Sequence, residues 1–161
     1  MAWKPDVTVA AVVMRDGKFL IVEERISGRL LFNQPAGHLE DRETLLAAVS
    51  RETREETAWR FEPRALVGTY LWRNPVTERS FLRFAFCGEV DDHRAAQPLD
   101  QGIVRALWLS RDELLAQTAR LRSPLVMRCI DDFLLGKQQP LDSVACLDLE
   151  SAVRAPSVVS L

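Results

Sequence analysis

Three glutamates, Glu52, Glu55 and Glu56, lie close together in a segment whose apolar spacing predicts a helix. At about 100° per residue, Glu52 and Glu56 point nearly the same way as Leu45 and border the apolar stripe of that helix. Like charges four residues apart destabilise a helix, and more so where apolar neighbours exclude water. A Mg²⁺ ion would relieve this repulsion, because it takes oxygen ligands from one or two carboxylates and from substrate phosphates. The pattern indicates a metal site for a diphosphate substrate; the alternative is a solvated helix face neutralised by neighbouring arginines.

The wider spacing forms a motif in which Gly37, Glu43 and the run Arg51-Glu52-Thr53-Arg54-Glu55-Glu56 are separated by five and by seven residues. This motif resembles the signature of the Nudix hydrolases, which cleave diphosphate bonds with bound Mg²⁺ or Mn²⁺. The resemblance implies that Glu52, Glu55 and Glu56 bind metal and activate water. It also implies that Arg51 orients a carboxylate and that the carbonyl of Gly37 contacts the metal, although a plain turn glycine is an alternative for Gly37. Glu52 and Glu56 would be the principal ligands and Glu55 a third ligand or the general base, because family members differ in which glutamate is the base.

Three positions depart from the family pattern, which usually has an aliphatic residue, a glycine and another aliphatic residue where this chain has Thr53, Ala58 and Trp59. Glycine permits a left-handed turn after the helix, whereas alanine carries a steric cost in that conformation. We therefore expect the exit from the helix to be remodelled. None of the three substitutions removes a carboxylate.

Further segments, at residues 33–40, 81–84 and 121–126, resemble the NudJ-type phosphatases within this family. The resemblance covers roughly residues 4–141. It implies the release of phosphate from nucleoside di- and triphosphates, or from pyrimidine diphosphates of thiamine metabolism.

Five residues outside the helix are candidates for substrate contact: Arg83, Arg122, His38, Trp72 and Phe81. The arginines could hold phosphate oxygens with their fork of donors, and the aromatic rings could stack on a planar base. The alternatives are a salt-bridged strand arginine, a solvent-facing arginine and histidine, and two aromatic rings of the core.

Many Nudix enzymes carry a further acid, which binds metal or acts as base, near the start of the strand expected at residues 103–109. Gly102 and Ile103 occupy its usual place in this chain and cannot do that chemistry. Asp100 is the remaining candidate, and an ordinary turn aspartate is the alternative.

Strand and helix patterns alternate along the chain. Apolar runs at residues 7–14 and 18–23 flank Asp16-Gly17, which predicts a hairpin. The motif helix is expected from residue 43 or 44 to 57, and strands are expected at 65–72 and 81–90.

The last part of the predicted domain contains one strand and two helices. The strand covers residues 103–109, and Ser110 with Glu113 forms a capping box for a helix that continues to about residue 121. A final helix begins after Ser123-Pro124 and ends at Gly136. The elements and the resemblance together predict an α/β fold, the Nudix α/β/α sandwich with a mixed β-sheet and a loop-helix-loop.

Composition and charge narrow the possible functions. The 161 residues suit one domain, expected at 1–141, followed by a C-terminal extension at 142–161 that we expect to be mobile. A net charge of −2 does not favour polymeric nucleic acid or membrane surfaces, so we expect a small-molecule diphosphate as partner. Three widely spaced cysteines and the lack of a membrane span or secretion signal favour a cytoplasmic protein with reduced thiols, either a monomer or a homodimer.

The hydrolase hypothesis has two rivals. The first is a non-catalytic Nudix-fold module that binds a nucleotide or diphosphate as a sensor, for which Thr53, Ala58 and Trp59 are the only support. The second is a diphosphate isomerase on the same fold, which is weaker because the chain lacks a cysteine motif of that branch. The intact glutamates favour the hydrolase, since a pure binder needs no water activation.

Overall fold

Two four-stranded β-sheets form the centre of the molecule, and helices cover them. The computed structural model describes residues 2–147. In chain order its elements are β1 (Asp6–Val12), β2 (Met14–Arg15), β3 (Lys18–Ile26), β4 (Arg29–Asn33), β5 (Ala36–His38), α1 (Leu45–Thr57), β6 (Arg60–Arg73), β7 (Ser80–Asp91), β8 (Ile103–Ser110), α2 (Arg111–Leu115) and α3 (Leu125–Leu134), with 3-10 turns at Thr118–Arg120 and Leu141–Ser143.

The first sheet has the strand order β5-β1-β7-β6, in which β1 runs parallel to β7 and the other pairs are antiparallel. This mixed sheet confirms the predicted class. The second sheet is antiparallel, with β3 between β4 and β8 and with β2 extending the hairpin. Asp16 and Gly17 both have positive φ in the hairpin turn, as predicted. The prediction that the whole run 7–14 pairs with 18–23 was wrong, because β1 leaves the hairpin at Val13 and joins the other sheet.

Alternating side chains of β1 and β3 supply two separate apolar clusters. Val9, Ala11 and Leu20 belong to the cluster that α1 covers, whereas Ala10 and Ile21 belong to the cluster that α3 covers. A period of two places successive residues of a strand on opposite faces. The result is a layer of sheets between helices, as expected for the Nudix sandwich.

The end of the motif helix keeps a left-handed residue. Thr44 caps the start of α1, since its Oγ1 accepts a hydrogen bond from the N–H of Ala47 at 3.0 Å. Ala58 ends the helix with φ 62° and ψ 6°, and its N–H bonds to the carbonyl of Arg54. The expected remodelling of the helix exit was therefore wrong. Arg54 holds this turn, because its guanidinium donates to the carbonyls of Ala58 and Asp92, each at 2.8 Å.

Two other element predictions need correction. Strand β6 begins at Arg60, because Pro63 is tolerated on a sheet edge next to a bulge. The capping box of Ser110 and Glu113 is present, but α2 ends at Leu115 rather than near residue 121. The chain then forms the separate 3-10 turn Thr118–Arg120, where the guanidinium of Arg120 bonds to the carboxylate of Glu23 and lies 4.1 Å from the centre of the Phe32 ring.

The chain past α3 remains in contact with the core. Leu141 and Val144 pack against the cluster under α1. The domain boundary at 141 stays a prediction, and residues 148–161 lie outside the described residues. Cys87, Cys129 and Cys146 are free thiols. Residues 2–147 contain no helix that is long and apolar enough to cross a membrane.

Candidate active site

A cleft of about 420 Å³ opens beside the N-terminal part of β1, the start of β5 and the buried face of α1. Most of the predicted site residues line it, namely Gly37, His38, Glu52, Glu56, Trp72, Phe81, Arg83, Asp100 and Arg122. Arg51 and Glu55 do not line it, but Arg51 is hydrogen-bonded both to Glu52, which does, and to Glu55.

Glu52 and Glu56 form the centre of the acidic wall. They are only 9% and 7% exposed, which confirms that they border the apolar face of α1 rather than solvent. Burial raises the pKa of Glu56 to about 9, and the negative charges of Glu24, Glu52 and Asp100 act in the same direction. Burial is also the largest cause of the raised pKa of Glu52. Without a cation, this wall holds carboxylates that are costly to ionise.

Gly37 makes room for one of these carboxylates. It lies in β5 opposite Val9, and a Cβ atom added to it would stand 2.0 Å from Cδ of Glu52. The alternative of a turn glycine is wrong, because Gly37 belongs to a strand and the glycines with positive φ lie elsewhere among residues 2–147. The requirement for glycine here is space for the Glu52 side chain.

Arg51 links the acids of the motif. Its guanidinium donates to Glu43 at 2.7 and 3.1 Å, to Glu52 at 2.8 Å and to Glu55 at 3.2 Å. It also donates to the carbonyl of His38 at 3.1 Å, which ties α1 to the end of β5. These hydrogen bonds, led by those from Arg51, hold the pKa of Glu43 below its usual range. Arg51 therefore fixes the direction of the Glu52 carboxylate.

A backbone hydrogen bond holds Asp100 beside Glu55 of α1. The N–H of Asp100 donates to the carbonyl of Glu55 at 2.9 Å, and the Asp100 side chain lines the cleft. Glu55 is more open, with 44% of its side chain exposed. The structure thus brings Asp100, rather than Glu55, to the cleft beside Glu52 and Glu56.

The departures from the family pattern are accommodated locally. Thr53 is fully buried, and its hydroxyl donates to the carbonyl of Val49 at 2.8 Å, so the side chain packs like an aliphatic one. Trp59 packs at 4.5 Å from the ring of His93 and lies under the guanidinium of Arg15 at 4.8 Å. Neither residue reaches the cleft.

Arg83 and Arg122 also line this cleft, and together they form its basic wall. Arg83 is only 6% exposed, and its Nη1 donates to Oε1 of Gln34 at 3.2 Å. Among residues 2–147, Arg83 has no carboxylate within ion-pair distance, and its buried Nε has no hydrogen-bond partner. Burial lowers the pKa of Arg83. At the mouth, the Nε of Arg122 lies 3.9 Å from an oxygen of Glu24.

Two aromatic rings border the same cleft. Trp72 and Phe81 are paired across β6 and β7, and their rings stack with centroids 5.8 Å apart and planes 22° apart. Both side chains are partly exposed, so the alternative of two buried core rings does not hold. The two rings offer an aromatic surface in the cleft that Arg83 and Arg122 also line.

Comparison with known proteins assigns this cleft to a family. Residues 4–129 match the NUDIX domain. The chain belongs to the Nudix family. Phosphatase NudJ of Escherichia coli K12 is 44% identical over 142 residues, which are 88% of this chain and 92% of that protein. The family and this relative make the protein a phosphohydrolase that acts on phosphorus-containing anhydrides.

Two solved structures agree with the fold. A NUDIX hydrolase from Nitrosomonas europaea superimposes with a TM-score of 0.87 at 48% identity, over 89% of this chain and 97% of that one. The Escherichia coli ORF135 protein superimposes with a TM-score of 0.66 at 25% identity, over 82% and 90% of the two chains. Both comparisons support the Nudix fold described above.

The donor set fits the divalent ion that Nudix hydrolases generally use. Its atoms are carboxylate and carbonyl oxygens, which suit Mg²⁺. Because Gly37 has no side chain, the Glu52 carboxylate has room to occupy its position in the cleft. Within residues 2–147, His, Cys, Asp and Glu side chains do not form a ready group of three or more around a metal position. A site completed by substrate phosphates and water agrees with both observations, since Mg²⁺ seldom uses an all-protein cage.

Sequence reasoning missed several residues of the Nudix cleft, among them Thr8, Glu24 and Asn33. Three buried side-chain atoms among residues 2–147 lack a hydrogen-bond partner, and all belong to residues of this cleft: Thr8 Oγ1, Asn33 Oδ1 and Arg83 Nε. Buried polar groups are nearly always paired, so a concentration of exceptions points to a ligand position. Glu24 could have been predicted only from the alternation of side chains along β3, which places Glu23 and Glu24 on opposite faces of the strand.

Proposed function

We propose that this Nudix hydrolase, with bound Mg²⁺, cleaves a diphosphate bond in nucleoside di- or triphosphates, or in a pyrimidine diphosphate, and releases phosphate. Mn²⁺ would be a possible substitute for Mg²⁺. The observation that carries the proposal is that one cleft contains two buried carboxylates together with a buried arginine that has no carboxylate partner among residues 2–147. A magnesium diphosphate complements both walls, because the cation suits the acids and the phosphate suits the arginine.

Glu52 and Glu56 would hold the cation, with the carbonyl of Gly37 and the carboxylate of Asp100 as further ligands, because Asp100 lines the cleft and Glu55 does not. When bound, Mg²⁺ would neutralise phosphate charge and lower the pKa of a coordinated water. Glu52 would accept the proton of the attacking water. The hydrogen bond from Arg51 to Glu52 at 2.8 Å supports this assignment, because it keeps one oxygen of Glu52 in a fixed direction.

Arg83, Arg122 and His38 would contact phosphate oxygens. Arg83 is suited to this role because its buried Nε has no hydrogen-bond partner in the described part of the chain, and a phosphate oxygen would supply one. Trp72 and Phe81 would stack against the planar ring of the substrate, as aromatic side chains do with bases elsewhere.

Phosphate release tests the proposal directly. The panel contains nucleoside di- and triphosphates, thiamine diphosphate and ADP-ribose, with Mg²⁺ at roughly 5 mM to saturate a weak site. Glu56→Gln keeps the shape of the side chain and removes its charge, so we expect turnover to fall by about 10²-fold or more. Glu89→Gln, at an exposed position of β7, is the control with the same charge change.

Thermal unfolding of each variant separates lost chemistry from lost structure. Near-normal release by a folded Glu56→Gln variant would remove this residue from the mechanism. Ligand binding without any release by the wild-type protein would favour the sensor.

A further inference from the structure

Glu24 lines the same cleft as the residues of the acidic and the basic wall. It comes from β3, and only 17% of its side chain is exposed. Nδ2 of Asn33 donates to its Oε1 at 3.1 Å, and Nε of Arg122 lies 3.9 Å from its Oε2. Glu24 is therefore a held carboxylate inside the substrate cleft, and neither the Nudix motif nor the proposed chemistry uses it.

Its neighbour Glu23 has a different environment. Glu23 points to the other face of β3, where Arg105 and Arg120 both bond to its carboxylate. Those two arginines compensate its charge fully, so Glu23 has a structural role. The charge of Glu24 is only partly compensated, because Arg122 is at the outer limit of ion-pair distance.

The position of Glu24 sets the net charge of the basic wall. Arg83 and Arg122 each contribute a positive charge, and Glu24 removes one of the two. A substrate phosphate that approaches Arg122 also approaches this carboxylate, which Asn33 keeps from turning away. At an effective dielectric constant of about 20, one unit charge still changes binding about tenfold at roughly 10 Å.

We propose that Glu24 is a specificity-determining residue that limits the phosphate charge accepted by the cleft and so favours diphosphates over triphosphates. The inference rests on the proposed function and names the substrate class within it. An added phosphate brings at least one further negative charge near a wall whose net charge is only about +1. A diphosphate places fewer charges against Glu24 and still satisfies both arginines.

Glu24→Gln tests this inference, because the amide keeps the size of the side chain and an oxygen that can accept from Asn33. The measured quantity is kcat/KM for a nucleoside triphosphate divided by kcat/KM for the diphosphate of the same base. We expect the ratio to rise about tenfold at low ionic strength. We also expect the rise to shrink at about 1 M salt, where charges are screened beyond about 3 Å.

Two matched variants complete the design. Glu62→Gln makes the same change in net charge at an exposed position of β6, where the side chain pairs with Arg64, and should leave the ratio unchanged. Glu24→Asp keeps the charge and should keep the ratio near the wild-type value. A purely structural role of Glu24 would not produce a change that depends on both substrate charge and salt.

The outcomes separate this inference from the proposed function. An unchanged ratio in Glu24→Gln, or an equal loss of kcat/KM on both substrates, would overturn the specificity role. Retained activity in Glu56→Gln would instead overturn the proposed chemistry, whatever Glu24 does. A ratio that rises equally in Glu62→Gln would assign the effect to net charge rather than to this position.

Discussion

Replacing Gly37 with alanine should disable the Nudix centre while leaving the fold largely intact. The added Cβ would lie 2.0 Å from Cδ of Glu52 and 2.1 and 2.3 Å from its two oxygens, whereas ordinary contact begins at 3.4 Å. The carboxylate must therefore move by about 1.4 Å. That movement breaks the 2.8 Å hydrogen bond from Arg51 that directs the carboxylate.

A misplacement of about 1 Å at a reacting group can cost about 10²-fold, so we expect kcat to fall by that factor. Phosphate release measured at saturating substrate reports kcat, and thermal unfolding reports the stability of the same samples. We expect the melting temperature to change little, because the clash is with the end of a side chain rather than with backbone.

Two further variants isolate the cause. Gly28→Ala strains a residue with φ +77° but meets no atom within 4 Å, so it should lower stability and leave kcat unchanged. In a Glu52→Gln background, Gly37→Ala should cause little additional loss, since both changes act on one group. A kcat near the wild-type value in Gly37→Ala alone would refute the claim that Gly37 serves Glu52.

Other predictions concern α1 and the metal. Thr53→Val should change the free energy of unfolding by less than about 1 kcal/mol, as measured by urea denaturation, because the lost hydrogen bond is local and the shape is kept. At Ala58, glycine should be nearly neutral and valine should cost about 2 kcal/mol or more, since φ is 62°; equal stability of the two variants would contradict the left-handed turn. In metal-free protein the pKa of Glu56 in the folded state is about 9, above the ordinary 4.5. The contribution of Glu56 to the free energy of unfolding is therefore fully present below about pH 4.5 and is lost as the pH rises towards 9. Thermal unfolding in a chelator should show this slope, Glu56→Gln should reduce it, and Mg²⁺ should stabilise the wild type more at about pH 8 than at about pH 5; identical slopes in both proteins would contradict it.

Local signals predicted the start of α2 and the turn of the hairpin. Ser110 accepts a hydrogen bond from the N–H of Glu113, three residues on, which is a relation within one turn of chain. Asp16-Gly17 likewise depends on its own φ angles. The motif placed Glu52 and Glu56 on the buried side of α1 because the helical period alone decides that direction.

Features that depend on distant residues could not be predicted. After α2 ends at Leu115, the following segment is held by the bond between Arg120 and Glu23, which are 97 residues apart. The need for glycine at position 37 comes from the side chain of Glu52 in another element. Glu24 was missed because β3 continues to Ile26, beyond the expected end of that strand at residue 23.

The parallel pairing of β1 with β7 has a consequence for how the protein is made. Asp6 pairs with Phe81, and the same offset continues to Val12 and Cys87, so the central pair of the first sheet joins segments 75 residues apart. Contacts of such long range form slowly because a large loop must close first. During synthesis α1 emerges before β7, and its buried carboxylates have no completed sheet to pack against. A nascent chain that stops before Ser80–Asp91 thus lacks the cleft, so the site and the fold should be acquired in a single late step.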